Sequence, residues 1–276
     1  MLIAHFSDLH IRPKERNAYG FVDTAGLLRQ AVGKLNALER QPDVLLITGD
    51  LTDCGMPEEF LHLRELLESC AVPVYLVPGN HDRRENLFEV FPAYREFVGA
   101  EDSMRYVVER FAVRLIALDT VVAGQPHGEV GEEQLDWLDS RLCEAPERPT
   151  VLFMHHPPFR TGISGMDLIG CKDGDRLGQL IRRHPQVERV LCGHVHRSIQ
   201  SAWHGTLACV APSTAHQIAL DFSEDVPERF CMEPPGFMLH FWQAEHGMVT
   251  HTCVTGDFPG PYEFVLDTEY PAYAAS

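Results

Sequence analysis

The sequence has no long hydrophobic run, no closely spaced cysteine pair and no concentration of positive charge. Its apolar stretches fall short of the roughly 18 consecutive residues that a membrane-spanning helix needs, so we expect no membrane span. The first residues, Met1 to Asp8, lack the basic region and the apolar core of a secretory signal peptide. We therefore expect a cytoplasmic location.

The eight cysteines are scattered, and none forms a C-x-x-C pair. This excludes a zinc ribbon and a thioredoxin-like motif, and we interpret the cysteines mainly as reduced thiols, with disulfides left open. The formal net charge is -17. Because no basic stripe could neutralise the phosphates of DNA or RNA, a nucleic-acid polymer is not an expected partner. A small phosphate substrate stays compatible, since bound metals can reverse the charge of a site.

Strand-like and helix-like segments alternate over the first two-thirds of the 276 residues, which suits one large domain. Apolar runs and helical periodicity define these segments. The predicted strands are Leu2–Phe6, Val44–Thr48, Val74–Val77, Tyr106–Phe111, Arg114–Leu118, Val151–Met154 and Val190–Cys192. The predicted helices are Thr24–Leu38, Pro57–Ser69, Glu132–Leu142 and Arg176–Arg183. The pattern predicts an α/β sandwich of central sheets with flanking helices.

The pattern changes after about residue 198, where no convincing long helix occurs. Met238–Trp242 and Met248–Cys253 are predicted strands of a hairpin. We divide the chain into a phosphoesterase core, 1–198, and a region, 199–276, of strands that complete the sheet plus a hairpin or cap extension. The extension is a candidate for a dimer contact.

Residue types that can bind metals follow several of the predicted strands. In folds of this kind, the loops at the strand ends carry the chemistry. The candidate ligands are Asp8, His10, Asp50, Asn80, His155, His194 and His196. Each motif taken alone is more often a turn or a helix cap. Together, in this order and each behind an apolar strand, they predict two adjacent metal ions.

The residue types and spacings suit a pair of divalent metals. Asp8 and His10 are two residues apart, so both side chains can leave a strand end on the same face. Asp50 could bridge two metals through its two oxygens, and Asn80 adds a neutral amide oxygen. We assign the first metal to Asp8, His10, Asp50 and His196. We assign the second metal to Asp50, Asn80, His155 and His194.

Open positions on both ions would mark a catalytic rather than a structural site. Two metals about 3.5–4 Å apart can activate a hydroxide and clamp a displacement at phosphorus. Whether that hydroxide bridges the ions or is terminal stays open. Two dications, two aspartates and one hydroxide leave a charge of about +1, which favours an anionic substrate.

The motif set resembles the calcineurin-like metallophosphoesterases, in particular their class III cyclic-nucleotide and glycerophosphodiester phosphodiesterase branch. The motifs that carry the resemblance are Asp8-x-His10, Gly49-Asp50, Gly79-Asn80-His81-Asp82, His155-His156 and Gly193-His194-x-His196. The likeness extends through Tyr19-Gly20-Phe21 and His216-Gln217 and weakens toward the C-terminus. It implies a four-layer αββα sandwich, a dinuclear centre of Fe, Mn, Zn or Co, and hydrolysis without a covalent intermediate.

The resemblance also implies roles beside the ligands. His81 would lie over the metals and contact a substrate oxygen or protonate the leaving alkoxide, and Asp82 would hold its tautomer. His156 is interpreted as structural. Tyr19 and Phe21 could line the pocket, although aromatic side chains more often belong to the core. The predicted substrate contacts are His216, Asn80, His81, Tyr19 and Phe21.

The predicted function is a metal-dependent phosphodiesterase for small diesters, with glycerophosphodiesters favoured. Hydroxide activated at the dinuclear centre would attack phosphorus. The alternatives are a 3′,5′-cyclic nucleotide phosphodiesterase and a promiscuous phosphomono- or diesterase. A non-catalytic scaffold is a remote alternative, because it would be expected to have lost a ligand. The expected partners are a small phosphodiester and other copies of the chain in a homo-oligomer.

Overall fold

The computed structural model describes residues 1–98, 103–224 and 229–262, and these form two β-sheets with helices outside them. The strands in chain order are β1 (Leu2–Phe6), β2 (Val44–Thr48), β3 (Val74–Val77), β4 (Tyr106–Val108), β5 (Arg114–Ala117), β6 (Thr150–Phe153), β7 (Val187–Cys192), β8 (Ile199–Trp203), β9 (Thr206–Val210), β10 (Gln217–Ile218), β11 (Phe230–Cys231), β12 (Gly236–Gln243) and β13 (Gly247–Val254). The helices are α1 (Thr24–Asn36), α2 (Pro57–Leu67), α3 (Arg84–Val90), α4 (Glu132–Cys143), α5 (Ser164–Leu168) and α6 (Gly174–Ile181), with a 3-10 helix at Pro92–Phe97.

The first sheet has the strand order β13-β12-β1-β2-β3, and the second has the order β4-β5-β6-β7-β9-β8. Strands β1, β2 and β3 are parallel, as are β5, β6, β7 and β9. Strands β10 and β11 form a separate two-stranded ribbon. The carboxyl ends of parallel strands meet at one edge, so the loops after β1, β2 and β3 lie together, as do those after β6 and β7.

The two sheets pack against each other through a shared apolar core. Leu115 and Val151 of the second sheet belong to the core that contains the first sheet with α1 and α2. Their neighbours Ile116 and Leu152 point to the opposite face and pack with α4 and α6. Because side chains alternate along a strand, this division produces four layers in the order helices, sheet, sheet, helices. The predicted α/β sandwich is confirmed.

Local sequence explains where the two helices beside the first sheet begin. The Asp23 carboxylate caps α1 by accepting from the Gly26 amide at 2.8 Å. Helix α2 has Pro57 in its first turn, and the Glu59 carboxylate accepts from the Met56 amide at 3.0 Å.

The structure adds elements that the sequence pattern does not predict. Helices α3 and α5 have only 7 and 5 residues, too few for a helical period to stand out. The region after residue 198 contributes to both sheets: β8 and β9 complete the second, and the β12–β13 hairpin joins the first next to β1. None of the helices in the described ranges is both long and apolar enough to cross a membrane.

Candidate metal centre

Four of the predicted ligands form a buried cluster at the carboxyl ends of the strands. The ligand atoms of this cluster lie within 4.8 Å of one another and belong to Asp8, His10, Asp50 and His196. Asp8 and His10 follow β1, Asp50 follows β2, and His196 follows β7. The cluster is the set that the sequence assigns to the first metal.

The remaining ligands gather on the other side of Asp50. The His155 Nε2 atom lies 3.4 Å from Asp50 Oδ1 and 3.0 Å from the Asn80 amide oxygen. Asp50 Oδ2 instead lies 3.6 Å from the His10 Nε2 atom. Each carboxylate oxygen of Asp50 therefore faces a different group of ligands, as a bridging ligand requires.

His194 supplies the last imidazole of this second group. Its Nε2 atom is buried and has no hydrogen-bond partner within the described part of the chain. Its backbone amide donates to the Asp8 carboxylate at 3.0 Å, which fixes the loop. A buried polar atom without a partner is costly, so this nitrogen fits a metal ligand.

The outer ring nitrogens determine which way the imidazoles face. His10 Nδ1 lies 3.1 Å from an Asp53 carboxylate oxygen, and His155 Nδ1 lies 2.7 Å from the Thr48 carbonyl. His196 Nδ1 lies 3.0 Å from the carbonyl of His216. Carbonyls and carboxylates only accept, so Nδ1 carries the proton and Nε2 presents a lone pair in each neutral ring.

These tautomers make the centre unfavourable without a cation. The Nε2 atoms of His10 and His196 are 3.1 Å apart, so the lone pairs of two neutral rings would face each other unless a proton or a metal ion lies between them. The His155 Nε2 atom faces oxygen acceptors on Asp50 and Asn80, so this nitrogen likewise needs either a proton or a metal ion. A positive ion removes this repulsion on both sides of Asp50, and the donor set therefore fits two metals.

The electrostatics lead to the same conclusion. Burial alone would lower the pKa of His155, but the Asp50 carboxylate outweighs burial and raises it to about 9. Burial raises the pKa of Asp8 to about 6. Burial and the neighbouring His10 ring lower the pKa of His196 to about 3, so this imidazole stays neutral. A centre that draws a proton onto one of its histidines has a negative potential suited to metal cations.

The backbone around the centre is strained. Five of the predicted ligands have positive φ angles between 44° and 72°: Asp8, His10, Asp50, His194 and His196. Such backbone conformations cost on the order of 1–3 kcal/mol each and cluster at functional sites. Gly49, with φ 84°, shows how close the packing is, because a Cβ there would lie 2.5 Å from the His155 ring. The glycine beside Asp50 is therefore required by the approach of the second sheet.

His81 lies at the edge of the centre. Its Nδ1 atom donates to the Asp53 carbonyl at 2.8 Å, and its backbone amide donates to Asp50 Oδ1 at 3.0 Å. Its ring meets the His10 ring edge-on, with centroids 4.7 Å apart. The half-buried His81 side chain lines the cleft above the ligands.

The prediction that Asp82 holds the tautomer of His81 is wrong. The Asp82 carboxylate turns inward and accepts from the amides of Leu51, Thr52 and Gly79 and from the Thr52 hydroxyl, at 2.8–3.0 Å. Buried amides of two loops bind this carboxylate, and none of its hydrogen bonds within the described residues goes to the His81 ring. Asp82 therefore cross-links the loops after β2 and β3, and the acceptor for His81 is the backbone of Asp53.

A cleft of about 370 Å³ opens above the ligands. Its lining is formed by His10, Tyr19, Asp50, Asn80, His81, Met166, Ile169, His194, His196, His216, Ile218, Arg229 and Phe230. Tyr19 is 53% exposed and meets the His216 ring edge-on at 5.2 Å. The His216 Nδ1 atom is buried and, among the residues that the structure describes, has no hydrogen-bond partner.

Phe21 does not line this cleft. It is 62% exposed and stacks on Phe230, with ring centroids 6.0 Å apart. The structure thus places Tyr19 and His216 in the lining of the cleft, whereas Phe21 lies outside it, against the lining residue Phe230. The alternative that Tyr19 and Phe21 are core side chains is wrong, since both are exposed.

His156 and Asp53 show what the motifs leave undecided. Both ring nitrogens of His156 have hydrogen-bond partners, with Nδ1 2.8 Å from the Thr120 hydroxyl and Nε2 3.1 Å from the Pro126 carbonyl, so it is not a ligand.

Asp53 contacts both His10 and His81, but the sequence prediction does not include it. Its position three residues after Asp50 is the sequence feature that could have identified it.

Fold and site define a metallophosphoesterase, and the comparisons with known proteins agree. The model of the family described as calcineurin-like phosphoesterase matches residues 1–198, and the chain belongs to this family. Membership makes it a metal-dependent phosphoester hydrolase.

Its relatives include two named phosphodiesterases. The chain is 39% identical over 265 residues to the probable glycerophosphodiester phosphodiesterase GpdQ of Arcobacter nitrofigilis, covering 96% of this chain and 97% of that one. It is 29% identical over 221 residues to the 3′,5′-cyclic adenosine monophosphate phosphodiesterase CpdA of Escherichia coli K12, covering 78% and 76%. A dimetal phosphatase from Danio rerio shares the fold, with a TM-score of 0.64 at 15% identity over 93% of this chain and 99% of that one.

Proposed function

We propose that this phosphoesterase hydrolyses small phosphodiesters, with glycerophosphodiesters as its preferred class. The observation that carries the proposal is the similarity to GpdQ, which extends over nearly the whole of both chains. All seven predicted ligands are present, four of them in one buried cluster and the others around His155 on the far side of Asp50, which supports catalysis and argues against a scaffold that has lost its metals.

We propose that the two groups of side chains around Asp50 each hold one metal ion. The nitrogen and oxygen donors suit Fe, Mn, Zn or Co, and availability would select among them. Bound there, the ions would supply Lewis acidity toward the phosphate and a water of lowered pKa. The protein contributes the orientation: Thr48, Asp53 and His216 hold the imidazoles so that their Nε2 atoms face inward.

We propose His81 as the proton donor to the leaving alcohol. Its Nδ1 proton is committed to the Asp53 carbonyl, so Nε2 is the nitrogen available to a substrate in the cleft. In the imidazolium form that Nε2 carries a proton, which can pass to the departing alkoxide oxygen as the P–O bond breaks. Asn80, Tyr19 and His216 are the proposed substrate contacts.

The experiment that tests the function is hydrolysis of a matched substrate panel by metal-reconstituted protein. The panel contains glycerophosphoethanolamine, 3′,5′-cyclic AMP and p-nitrophenyl phosphate, with Asp50→Ala as the inactive control. We expect the highest kcat/KM for the glycerol diester. Activity on none of the three with metals bound would contradict the proposal.

Cyclic-nucleotide hydrolysis is the second candidate, and the similarity to CpdA favours it. That similarity covers 78% of this chain, against 96% for GpdQ, which places it second. A kcat/KM highest for 3′,5′-cyclic AMP in the same panel would reverse the order.

We also propose that the enzyme works in the cytoplasm and self-associates through its β12–β13 hairpin. All eight cysteines are free thiols, as a reducing compartment favours. Strand β13 is eight residues long, ends the first sheet and exposes Val249 and Val254. Long exposed edge strands favour pairing with another chain. Val249→Lys should shift the mass measured by light scattering toward the monomer, and an unchanged mass would contradict this contact.

A further inference from the structure

We propose that Asp53 is a positioning residue that orients both the metal ligand His10 and the proton donor His81, each through a different group. The inference rests on the proposed metal-dependent function. Asp53 lies in the loop between β2 and α2, and its side chain is 15% exposed. It is the only residue in the described ranges with hydrogen bonds to both of these imidazoles.

The side chain of Asp53 acts on His10. Its Oδ1 atom lies 3.1 Å from His10 Nδ1, while His10 Nε2 faces His196 and Asp50. A carboxylate accepts and cannot donate, so it keeps the His10 proton on Nδ1 and the lone pair on Nε2. A carboxylate behind a metal-bound histidine also raises the basicity of the ligand. The charge of Asp53 and its inability to donate both favour a metal on the inner nitrogen.

The backbone of Asp53 acts on His81. The Asp53 carbonyl accepts from His81 Nδ1 at 2.8 Å, and this bond leaves His81 Nε2 free for a substrate. The contact uses no side-chain atom of Asp53. A substitution at Asp53 should therefore alter the support of His10 and preserve the bond to His81, provided that the loop keeps its shape.

Contacts behind Asp53 hold the loop in place. The Asp53 amide donates to the Ile11 carbonyl at 3.2 Å, and Arg12 Nη1 lies 3.3 Å from the second carboxylate oxygen of Asp53. Arg12 also pairs with Glu59 at 2.9 Å, and Glu59 accepts from the Cys54 amide at 3.0 Å. Asp53 is thus held by the loop after β1 and by the start of α2. This arrangement orients the His10 ring before any metal binds.

The test compares Asp53→Asn with a matched control, Asp139→Asn. Asp139 is the counterpart because its carboxylate also accepts from a histidine, His184 Nε2 at 2.6 Å, but it lies on α4 away from the centre. Binding of Mn²⁺ to the apoprotein is followed by the electron paramagnetic resonance of the free ion. We expect Asp53→Asn to weaken one of the two binding steps by roughly 10–100-fold. Asp139→Asn should leave both steps unchanged.

A second readout separates the two roles of Asp53. At saturating Mn²⁺, the dependence of kcat/KM on the pKa of the leaving alcohol should match the wild type in Asp53→Asn, because the carbonyl bond to His81 persists. Arg12→Gln removes an ion-pair partner of the Asp53 carboxylate. We expect it to weaken Mn²⁺ affinity in the same binding step, but by less than Asp53→Asn does. Thermal unfolding of each apoprotein shows whether the variant has kept the overall stability of the wild type.

Two outcomes would overturn the inference. One is that both Mn²⁺ steps in Asp53→Asn equal those of the wild type. The other is an altered leaving-group dependence in Asp53→Asn at saturating Mn²⁺, which would show that the two groups of Asp53 do not act separately on His10 and His81. Failure of the proposed function looks different, since the wild type itself would then bind no pair of ions or hydrolyse no diester.

Discussion

The two sheets contribute chemically different halves of the centre. The loops of the first sheet supply every proposed oxygen ligand, from Asp8, Asp50 and Asn80, together with the imidazole of His10. The loops of the second sheet supply only imidazoles, from His155, His194 and His196. Neither half alone contains the full set of ligands proposed for either metal.

The protonation of the two halves differs as well. Burial lowers the pKa of His194 and His196, so two imidazoles of the second sheet are neutral before a metal arrives. The carboxylates of the first sheet provide the negative potential, and Asp50 faces both halves. We therefore expect the affinity for the metals to come mainly from the charge of the first sheet and the second sheet to complete the proposed coordination. Packing of the two sheets therefore assembles the site.

The largest expected effect comes from removing the carboxylate that joins the halves. Asp50→Ala should abolish binding of the second metal and lower kcat/KM by about 10³-fold or more, equivalent to roughly 4 kcal/mol of transition-state stabilisation. Metal per chain by mass spectrometry and kinetics on glycerophosphoethanolamine measure the two effects. Two bound ions and normal turnover in Asp50→Ala would show that Asp50 does not bridge the metals. Asp139→Ala is the control and should keep both ions and normal kinetics.

His81 lies in the loop after β3 of the first sheet, and we propose it as a proton donor rather than a metal ligand. His81→Ala should keep both metals and reduce kcat/KM for poor leaving groups by about 10²-fold, the lower end of general acid catalysis. A p-nitrophenyl diester should be affected much less, because its leaving group needs no proton. Equal losses on both substrates would refute the role. The exposed His246 provides the control substitution, His246→Ala.

The metal-free protein should show the charge difference between the halves as a dependence of stability on pH. Burial opposes protonation of His155, but Asp50 raises its pKa to about 9, above the usual value of about 6.5. A raised pKa contributes stability that is fully present below about pH 6.5 and is lost as the pH rises through 9. Urea unfolding of chelator-treated protein should show this decline, and His155→Gln should remove it. A wild-type curve as flat as that of His155→Gln would contradict the expectation.

The smallest effects are expected at the mouth of the cleft. Tyr19 contacts His216 and lines the cleft, so Tyr19→Ala should raise KM for the glycerol diester roughly fivefold, or about 1 kcal/mol of lost aromatic contact. Phe21 lies outside the lining, and Phe21→Ala should change KM less than about twofold. Equal effects of both variants would place the substrate further out than this cleft.

Much of the fold can be predicted from the sequence because its strands are short, apolar and bounded by polar loops. Strands β1, β2 and β3 have the predicted bounds. Strand β4 ends at Val108 rather than at residue 111, because the chain turns before β5. Helices α3 and α5 are too short to show a period and depend on packing against their neighbours.

The sequence by itself determined the chemistry of this protein. Residue type and short spacing decide which atoms can bind a metal, and both are local properties of motifs such as Asp8-x-His10 and His194-x-His196. Tertiary structure decided which way each of those atoms faces. The tautomer of His10, the inward turn of Asp82 and the double role of Asp53 all depend on partners in other loops. Competition among buried donors for the nearest acceptor assigned those partners, and that competition begins only when the first sheet has brought the loops after β1, β2 and β3 together.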